Sequence, residues 1–173
     1  MYTLGVDPQP TCLGICVKEY GKDEPIVWRV EYFKRKSLFK KSEDWQKYLH
    51  KKCKIILIQI IEHELGGSKD LVLVIEQQRG RVNSLVENTL CCIGCDMVGM
   101  DGVRLVHPNT WRKTLPVDHE KGECGHYSNK KSTIRLTKQN DLLRPIVESR
   151  KLSTLRLADM CDAYWICKWY ESQ

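Results

Sequence analysis

Apolar residues recur along this chain first with the period of strands and then with that of helices. Tyr2 to Val6 and Thr11 to Lys18 read as extended segments, separated by Asp7-Pro8-Gln9-Pro10. Two prolines oppose regular pairing there and imply a tight reversal with an acidic corner. Ile26 to Phe33 alternates imperfectly and predicts a third, partly covered antiparallel strand. From Ser42 the pattern turns helical: Glu43 and Asp44 suit a first turn, a stripe runs through Trp45, Leu49, Cys53, Ile56 and Ile60, and Gly66-Gly67 end it. Leu71 to Ile75 is a continuous aliphatic run too short for a helix, as expected of a strand buried on both faces, with Glu76 at its C-terminal end.

Asn83 is placed to cap a second helix with the stripe Val86, Leu90, Ile93 and Met97, and Gly102 to His107 reads as another short strand. Pro116 to Lys131 is mainly polar, charged or glycine, which predicts an exposed loop. Ser132 to Leu143 and Ser153 to Tyr170 are the remaining helical stretches, separated by Pro145 and a charged connection. The layout is α/β: a central mixed five-stranded sheet flanked by helices on both faces.

A chain of 173 residues, 42% of them hydrophobic, can bury one sizeable core, so a single domain over 1–173 is expected. Lys and Arg outnumber Asp and Glu by 28 to 22, and the net charge of +6 favours phosphate-bearing or otherwise acidic partners without identifying them. The nine cysteines do not imply a disulfide scaffold, because the chain is long, rich in core-forming aliphatics and lacks a secretory signal ahead of Tyr2; a reducing, intracellular setting is expected. The longest strongly apolar stretch, Ile55 to Ile61, is interrupted by Gln59 and falls far short of the roughly 20 residues that cross a bilayer, so no membrane partner is expected.

Chemistry concentrates in acidic residues. If the strands that end at Asp7 and Glu76 are parallel neighbours, both carboxylates leave the same edge of the sheet. Asp159 and Asp162 are three apart in a helical stretch whose face also carries Leu155, Ile166 and Trp169, so both approach the core. Ionised and unpaired in a low dielectric they would cost several kcal/mol each. They must be protonated, paired with a base such as Arg156 or Lys168, or bound to a cation. Convergence of all four favours the cation, and hard carboxylate oxygens suit Mg²⁺ or Mn²⁺. A pair of such ions roughly 4 Å apart activates water and stabilises the leaving oxygen of a phosphodiester.

Leu4-Gly5-Val6-Asp7-Pro8, then Val74-Ile75-Glu76-Gln77, then Ala158-Asp159-Met160-Cys161-Asp162-Ala163 together resemble the RuvC-type Holliday junction resolvases across essentially the whole chain. The compact length and cysteine-rich second helix are most similar to the poxvirus branch. The resemblance implies an RNase H-like fold, a homodimer, and a Mg²⁺-dependent endonuclease with two ions per site, Mn²⁺ substituting. Its substrate would be four-way and branched DNA, cut by paired symmetric nicks in recombination and, if viral, in concatemer resolution in the host cytoplasm. It makes Asp7, Glu76, Asp159 and Asp162 the metal ligands, and Lys130 or Lys131 the base that approaches the scissile phosphate. Gln9, followed by Pro10, stands where the bacterial family commonly has glycine.

Candidate DNA contacts follow from position. Arg79, Arg81 and Asn83 lie between Glu76 and a helix N-terminus, a natural phosphate site. Trp111, Arg112, Lys113, Lys130, Lys131 and Arg135 form a second basic set, in which Trp111 is suited either to stacking on an unpaired base or to the core. Cys91, Cys92 and Cys95 have no second CxxC pair at finger-like distance and read as small buried helix residues, while Val86, Leu90, Ile93 and Met97 suit either core or a dimer contact. Two other readings stand: an RNase H-like nuclease acting on RNA or hybrids, and a non-catalytic junction-binding protein.

Overall fold

Side chains two apart on a strand share a face, and this alternation divides the core into two layers. The computed structural model describes residues 1–78, 80–115 and 126–173, and for 81–83 and 126–130 the backbone alone. Five strands, β1 (Tyr2–Gln9), β2 (Cys12–Glu19), β3 (Pro25–Tyr32), β4 (Leu71–Glu76) and β5 (Val103–Val106), form one sheet in the order β3-β2-β1-β4-β5. The first three pair antiparallel, whereas β4 runs parallel to β1 and β5 parallel to β4. The mixed five-stranded sheet expected from the sequence is therefore present.

On one face Leu4, Val6, Leu13, Ile15, Leu73 and Ile75 pack with Leu49 and Ile56 of α1 (Ser42–Ile58) and with Val86, Leu90 and Ile93 of α2 (Arg81–Val98). That stripe of α2 is thus spent within the chain. Four further helices are described: α3 (Pro108–Trp111), α4 (His126–Gln139), α5 (Arg144–Ser149) and α6 (Thr154–Glu171). On the opposite face Cys16 and Trp28 meet Met160, Ala163, Tyr164 and Cys167 of α6, beside Leu143 and Val147.

The α6 helix lies on β1 and β2 with almost nothing between the backbones. A Cβ on Gly5 would collide with the Ala163 carbonyl oxygen, and one on Gly14 with that of Asp159. Two bonds fasten the contact: the Gly5 N–H donates to Cys167 Sγ at 3.1 Å, and Trp28 Nε1 donates to the Met160 carbonyl at 2.7 Å. Lys18 is fully buried at the far end of the same contact, donating to Glu171 at 2.9 Å and lying 5.1 Å from the Tyr164 ring centroid.

Several expectations are corrected. Pro8 does not end β1: it stays in the strand opposite Leu13, and the reversal comes at Pro10-Thr11. Pairing of β1 with β4 stops at Val6 and Ile75, so the strand has one open side at Pro8, where a missing donor is tolerated. Asp7 accordingly sits within a strand, opposite Gly14, and not on a corner. The α2 helix begins at Arg81 after Gly80, whose φ of 94° only glycine adopts readily, so Asn83 lies in the first turn and is not its cap. The α4 helix starts at His126, inside the stretch expected to be loop; 116–125 lie outside the described residues. Pro145 opens α5 because its fixed φ suits a first turn. Cys92 is exposed and Cys91 and Cys95 are only half-buried, and Leu155, expected on the buried face of α6, is 47% exposed. Among the described residues no helix is long and apolar enough to cross a membrane.

Gly14→Ala should lower the unfolding free energy by about 3 kcal/mol, the upper part of the overpacking range, because backbone must move to admit the methyl. Denaturant unfolding monitored by tryptophan fluorescence would read it; a loss below about 1 kcal/mol would mean the helix shifts freely. Lys18→Met should remove about 3–5 kcal/mol by stranding the Glu171 carboxylate, and Lys18→Met with Glu171→Leu should recover most of it.

Candidate active site

Register alone brings the first two carboxylates together. Val6 pairs with Ile75 across parallel strands, so Asp7 and Glu76 come next on β1 and β4 at the same level. Asp7 lies two residues beyond Gly5 and so shares its α6-facing side; Glu76 likewise follows Val74, which packs against Ile166 of α6. From α6 come Asp159, whose backbone lies over Gly14, and Asp162, one turn further on. The four side chains are no more than 3% exposed.

Every carboxylate is held by donors. Asp7 Oδ1 accepts from Gln9 Nε2 at 2.9 Å and from Gln78 Nε2 at 3.4 Å. Glu76 Oε2 accepts from Gln78 at 2.9 Å, and Glu76 Oε1 from Trp111 Nε1 at 3.0 Å. Arg112 Nη2 bridges Glu76 Oε1 at 3.2 Å and Asp162 Oδ2 at 3.4 Å. Arg156 Nη1 donates to Asp159 Oδ2 at 3.0 Å and to Cys12 Sγ at 2.7 Å, while its Nη2 donates to Thr11 Oγ1 at 2.7 Å. Burial first, and then the neighbouring charge of Asp7, push the Glu76 carboxyl well above its ordinary range against the pull of Arg112. The Cys12 thiol is also pushed up, by burial and then by Asp159, which favours the neutral thiol over the thiolate.

A divalent metal fits the chemistry of this donor set: four hard carboxylate ligands converge where the charged form of Glu76 is disfavoured and a cation would restore it. In the arrangement described, no three His, Cys, Asp or Glu side chains among the described residues stand close enough together to hold an ion. The Arg112 guanidinium instead bridges Glu76 and Asp162.

The carboxylates expected from the sequence are thus together, and the basic set is divided. Arg112 lies within the cluster, where its guanidinium bridges Glu76 and Asp162. Trp111, a candidate for base stacking, is completely buried, with its indole N–H on Glu76 and its ring 4.8 Å from the Arg112 guanidinium carbon. Lys113 and Lys131 are exposed and Arg135 is half-buried. Arg79 and the side chains of Arg81, Asn83 and Lys130 lie outside the described residues. Sequence reasoning missed Gln78, Gln9 and Cys12 as partners of the carboxylates. It offered Arg156 and Lys168 as alternatives to a metal: Arg156 does pair with Asp159, at i,i+3, whereas Lys168 pairs with Asp23.

Two solved structures of Thermus thermophilus RuvC superpose on nearly the whole chain. One, in complex with a Holliday junction substrate, matches with a TM-score of 0.61 at 14% identity over 98% of this chain and 94% of that one. The other matches with a TM-score of 0.57 at 14% identity over 98% and 95%. The fold is that of RuvC. It is RNase H-like, as the sequence resemblance implied, and the likeness bears on that architecture without distinguishing a poxvirus branch. No protein-family model and no curated protein sequence matches the chain.

In a RuvC fold held by buried carboxylates, removing one charge should stabilise the protein. Glu76→Gln keeps the shape and the amide can still pair, while the buried charge beside Asp7 is gone. Its melting temperature in EDTA at neutral pH should rise by about 3 °C or more, the shift that roughly 1 kcal/mol produces at this chain length. A fall by calorimetry would mean that the Arg112 bridge outweighs burial.

Proposed function

We propose that this chain is a divalent-metal-dependent DNA endonuclease that resolves four-way and other branched junctions by paired symmetric nicks. The observation that carries the reading is the meeting of Asp7, Glu76, Asp159 and Asp162 in one buried cluster at the carboxyl ends of β1 and β4. Its RuvC fold supports the substrate class, since one structural neighbour is RuvC bound to a Holliday junction substrate.

In this reading Asp7, Glu76, Asp159 and Asp162 would hold two Mg²⁺ ions, with Mn²⁺ able to substitute, and the metal would supply activation of the attacking water and charge stabilisation at the leaving oxygen. The chain's own residues prepare the ligands. Gln78 and Trp111 fix both oxygens of Glu76, Arg156 fixes one oxygen of Asp159, and burial keeps bulk water away. The N-terminus of α2 follows directly after Glu76, so Arg79, Arg81 and Asn83 are suited to a DNA phosphate. Lys113, Lys130, Lys131 and Arg135 extend the basic surface, and Lys130 or Lys131 would approach the scissile phosphate. Paired nicks require two sites, hence a homodimer, acting inside the cell in DNA recombination. A poxvirus affinity, with concatemer resolution in the host cytoplasm, rests on the sequence resemblance alone.

One observation favours a second reading, a junction-binding protein without chemistry: a guanidinium already bridges Glu76 and Asp162. The purified chain, incubated with a labelled four-way junction, a matched duplex and an RNA–DNA hybrid in Mg²⁺ or EDTA, separates the readings. Only the junction should be cut, in paired symmetric nicks, and only with metal. Asp159→Asn should lose roughly a hundredfold or more of the rate while still binding the junction. Binding without cutting would establish the architectural reading, and preferential cutting of the hybrid would make it a ribonuclease.

A further inference from the structure

Arg112 and Arg156 both neutralise the carboxylate cluster, but they are held very differently. The Arg156 guanidinium has three partners on two elements, Asp159, Cys12 and Thr11, each bond at 3.0 Å or less. It is a fixed brace. Arg112 reaches its carboxylates through a single nitrogen, Nη2, at 3.2 and 3.4 Å, and its Nε is buried without a hydrogen-bond partner. Such an orphaned donor costs about 1–3 kcal/mol while the side chain stays inside. The backbone beneath it is a single turn, Arg112–Thr114, closed by a 3.4 Å bond from the Leu115 N–H to the Arg112 carbonyl.

The ligand beneath does not depend on Arg112 for its place. Trp111, fully buried, donates to Glu76 Oε1, and Gln78 donates to Oε2, so Glu76 stays oriented when the guanidinium leaves. Arg112 itself is 20% exposed, against 1–3% for the two carboxylates it bridges, so it lies on the solvent side of them.

Resting on the metal-dependent nuclease reading, the geometry points to Arg112 as a displaceable internal counter-ion: it occupies the cation position between Glu76 and Asp162, is released when a divalent ion binds, and then contacts a DNA phosphate. One monovalent guanidinium sits on two carboxylates, so a divalent cation matches that charge better and the two are mutually exclusive. Exclusion is reciprocal: whatever holds the guanidinium inward weakens metal binding by the same factor. Once outside, at the mouth of an acidic site, the guanidinium is drawn to the next anion to arrive, which is the nucleic-acid backbone. The residue would thereby favour metal loading in the presence of DNA and suppress it without.

The test uses the full chain and reads binding, not cutting. Mn²⁺ affinity by calorimetry without DNA should be about tenfold tighter for Arg112→Gln than for the unaltered chain, within the usual range of such couplings. Junction binding in Ca²⁺ should show the opposite loss, with the slope of log affinity against log salt reduced by about one, the signature of one missing phosphate contact. Arg112→Lys keeps a cation but cannot span both carboxylates as well; it should retain the salt slope and bind Mn²⁺ at an intermediate affinity, and it serves where the glutamine variant fails to fold. Equal Mn²⁺ affinities, weaker Mn²⁺ binding by the glutamine variant, or an unchanged salt slope overturns the proposal. The nuclease reading fails separately: a junction left uncut by the unaltered chain removes it whatever the affinities show.

Discussion

The arrangement depends on how closely α6 lies against β1 and β2. Two glycines, Gly5 and Gly14, remove the side chains that would otherwise hold a helix off a sheet, and the carbonyls of Ala163 and Asp159 fill the space. At that separation an aspartate on the inner face of the helix is beyond the reach of water and must find its partners within the protein. Asp159 and Asp162 do so in different directions, the first toward Arg156 and the β1–β2 turn, the second toward Arg112. The same closeness puts Asp7 and Glu76 under the helix. The packing contact and the acidic cluster are one feature.

What the sequence made legible follows from this. Long elements announce themselves by period: the aliphatic β4, the stripe of α1 from Trp45 to Ile56, and the i,i+3 aspartates of α6 all lie where patterning placed them. The carboxylate cluster was legible because Asp7 and Glu76 each follow an aliphatic run, and the parallel pairing that ends at Val6 and Ile75 puts them level. Pro8 was misread because a proline's tolerance depends on whether a neighbouring strand is present at that level, which is a property of the sheet and not of the segment. Trp111 was left open between stacking and core, and the carboxylate partners of Arg112 were missed, for a related reason. A four-residue helix followed by a single turn has no period to read, and the partners of Arg112 lie 36 and 50 positions away.

The electrostatics explain why such a site is tolerable in a folded protein. Burial disfavours the charged form of Glu76 first, and the neighbouring charges of Asp7 and Asp162 add to it, so its carboxyl is held well above the ordinary range. The two arginines reduce the negative charge at the outer ends of the cluster, one from α6 itself and one from the turn after α3, while neutral donors serve the middle. Gln78 bridges Asp7 and Glu76 without adding charge. A glutamine there orients both ligands and leaves their charge available for a cation; a lysine in the same place would neutralise it.

Placement of the site at this edge of the sheet is also a consequence of topology. To one side of β1 the neighbour is antiparallel and to the other it is parallel, so beyond Val6 the strand keeps β2 and loses β4. That divergence sets Asp7 and Glu76 level with each other just past the last paired residues, at the carboxyl-terminal side of β1 and β4, where α/β sheets characteristically receive ligands. The backbone of β4 then turns directly into α2, whose N-terminus carries partial positive charge, and the turn after β5 leads through α3 to Trp111 and Arg112. The acidic cluster therefore lies between a helix terminus and Arg112, the juxtaposition that the proposed reaction on a phosphodiester would use: anionic ligands for cations at the reacting atom, and positive groups for the backbone beside it. Neither half could perform the proposed chemistry alone, and the parallel pairing of β1 with β4 brings them together.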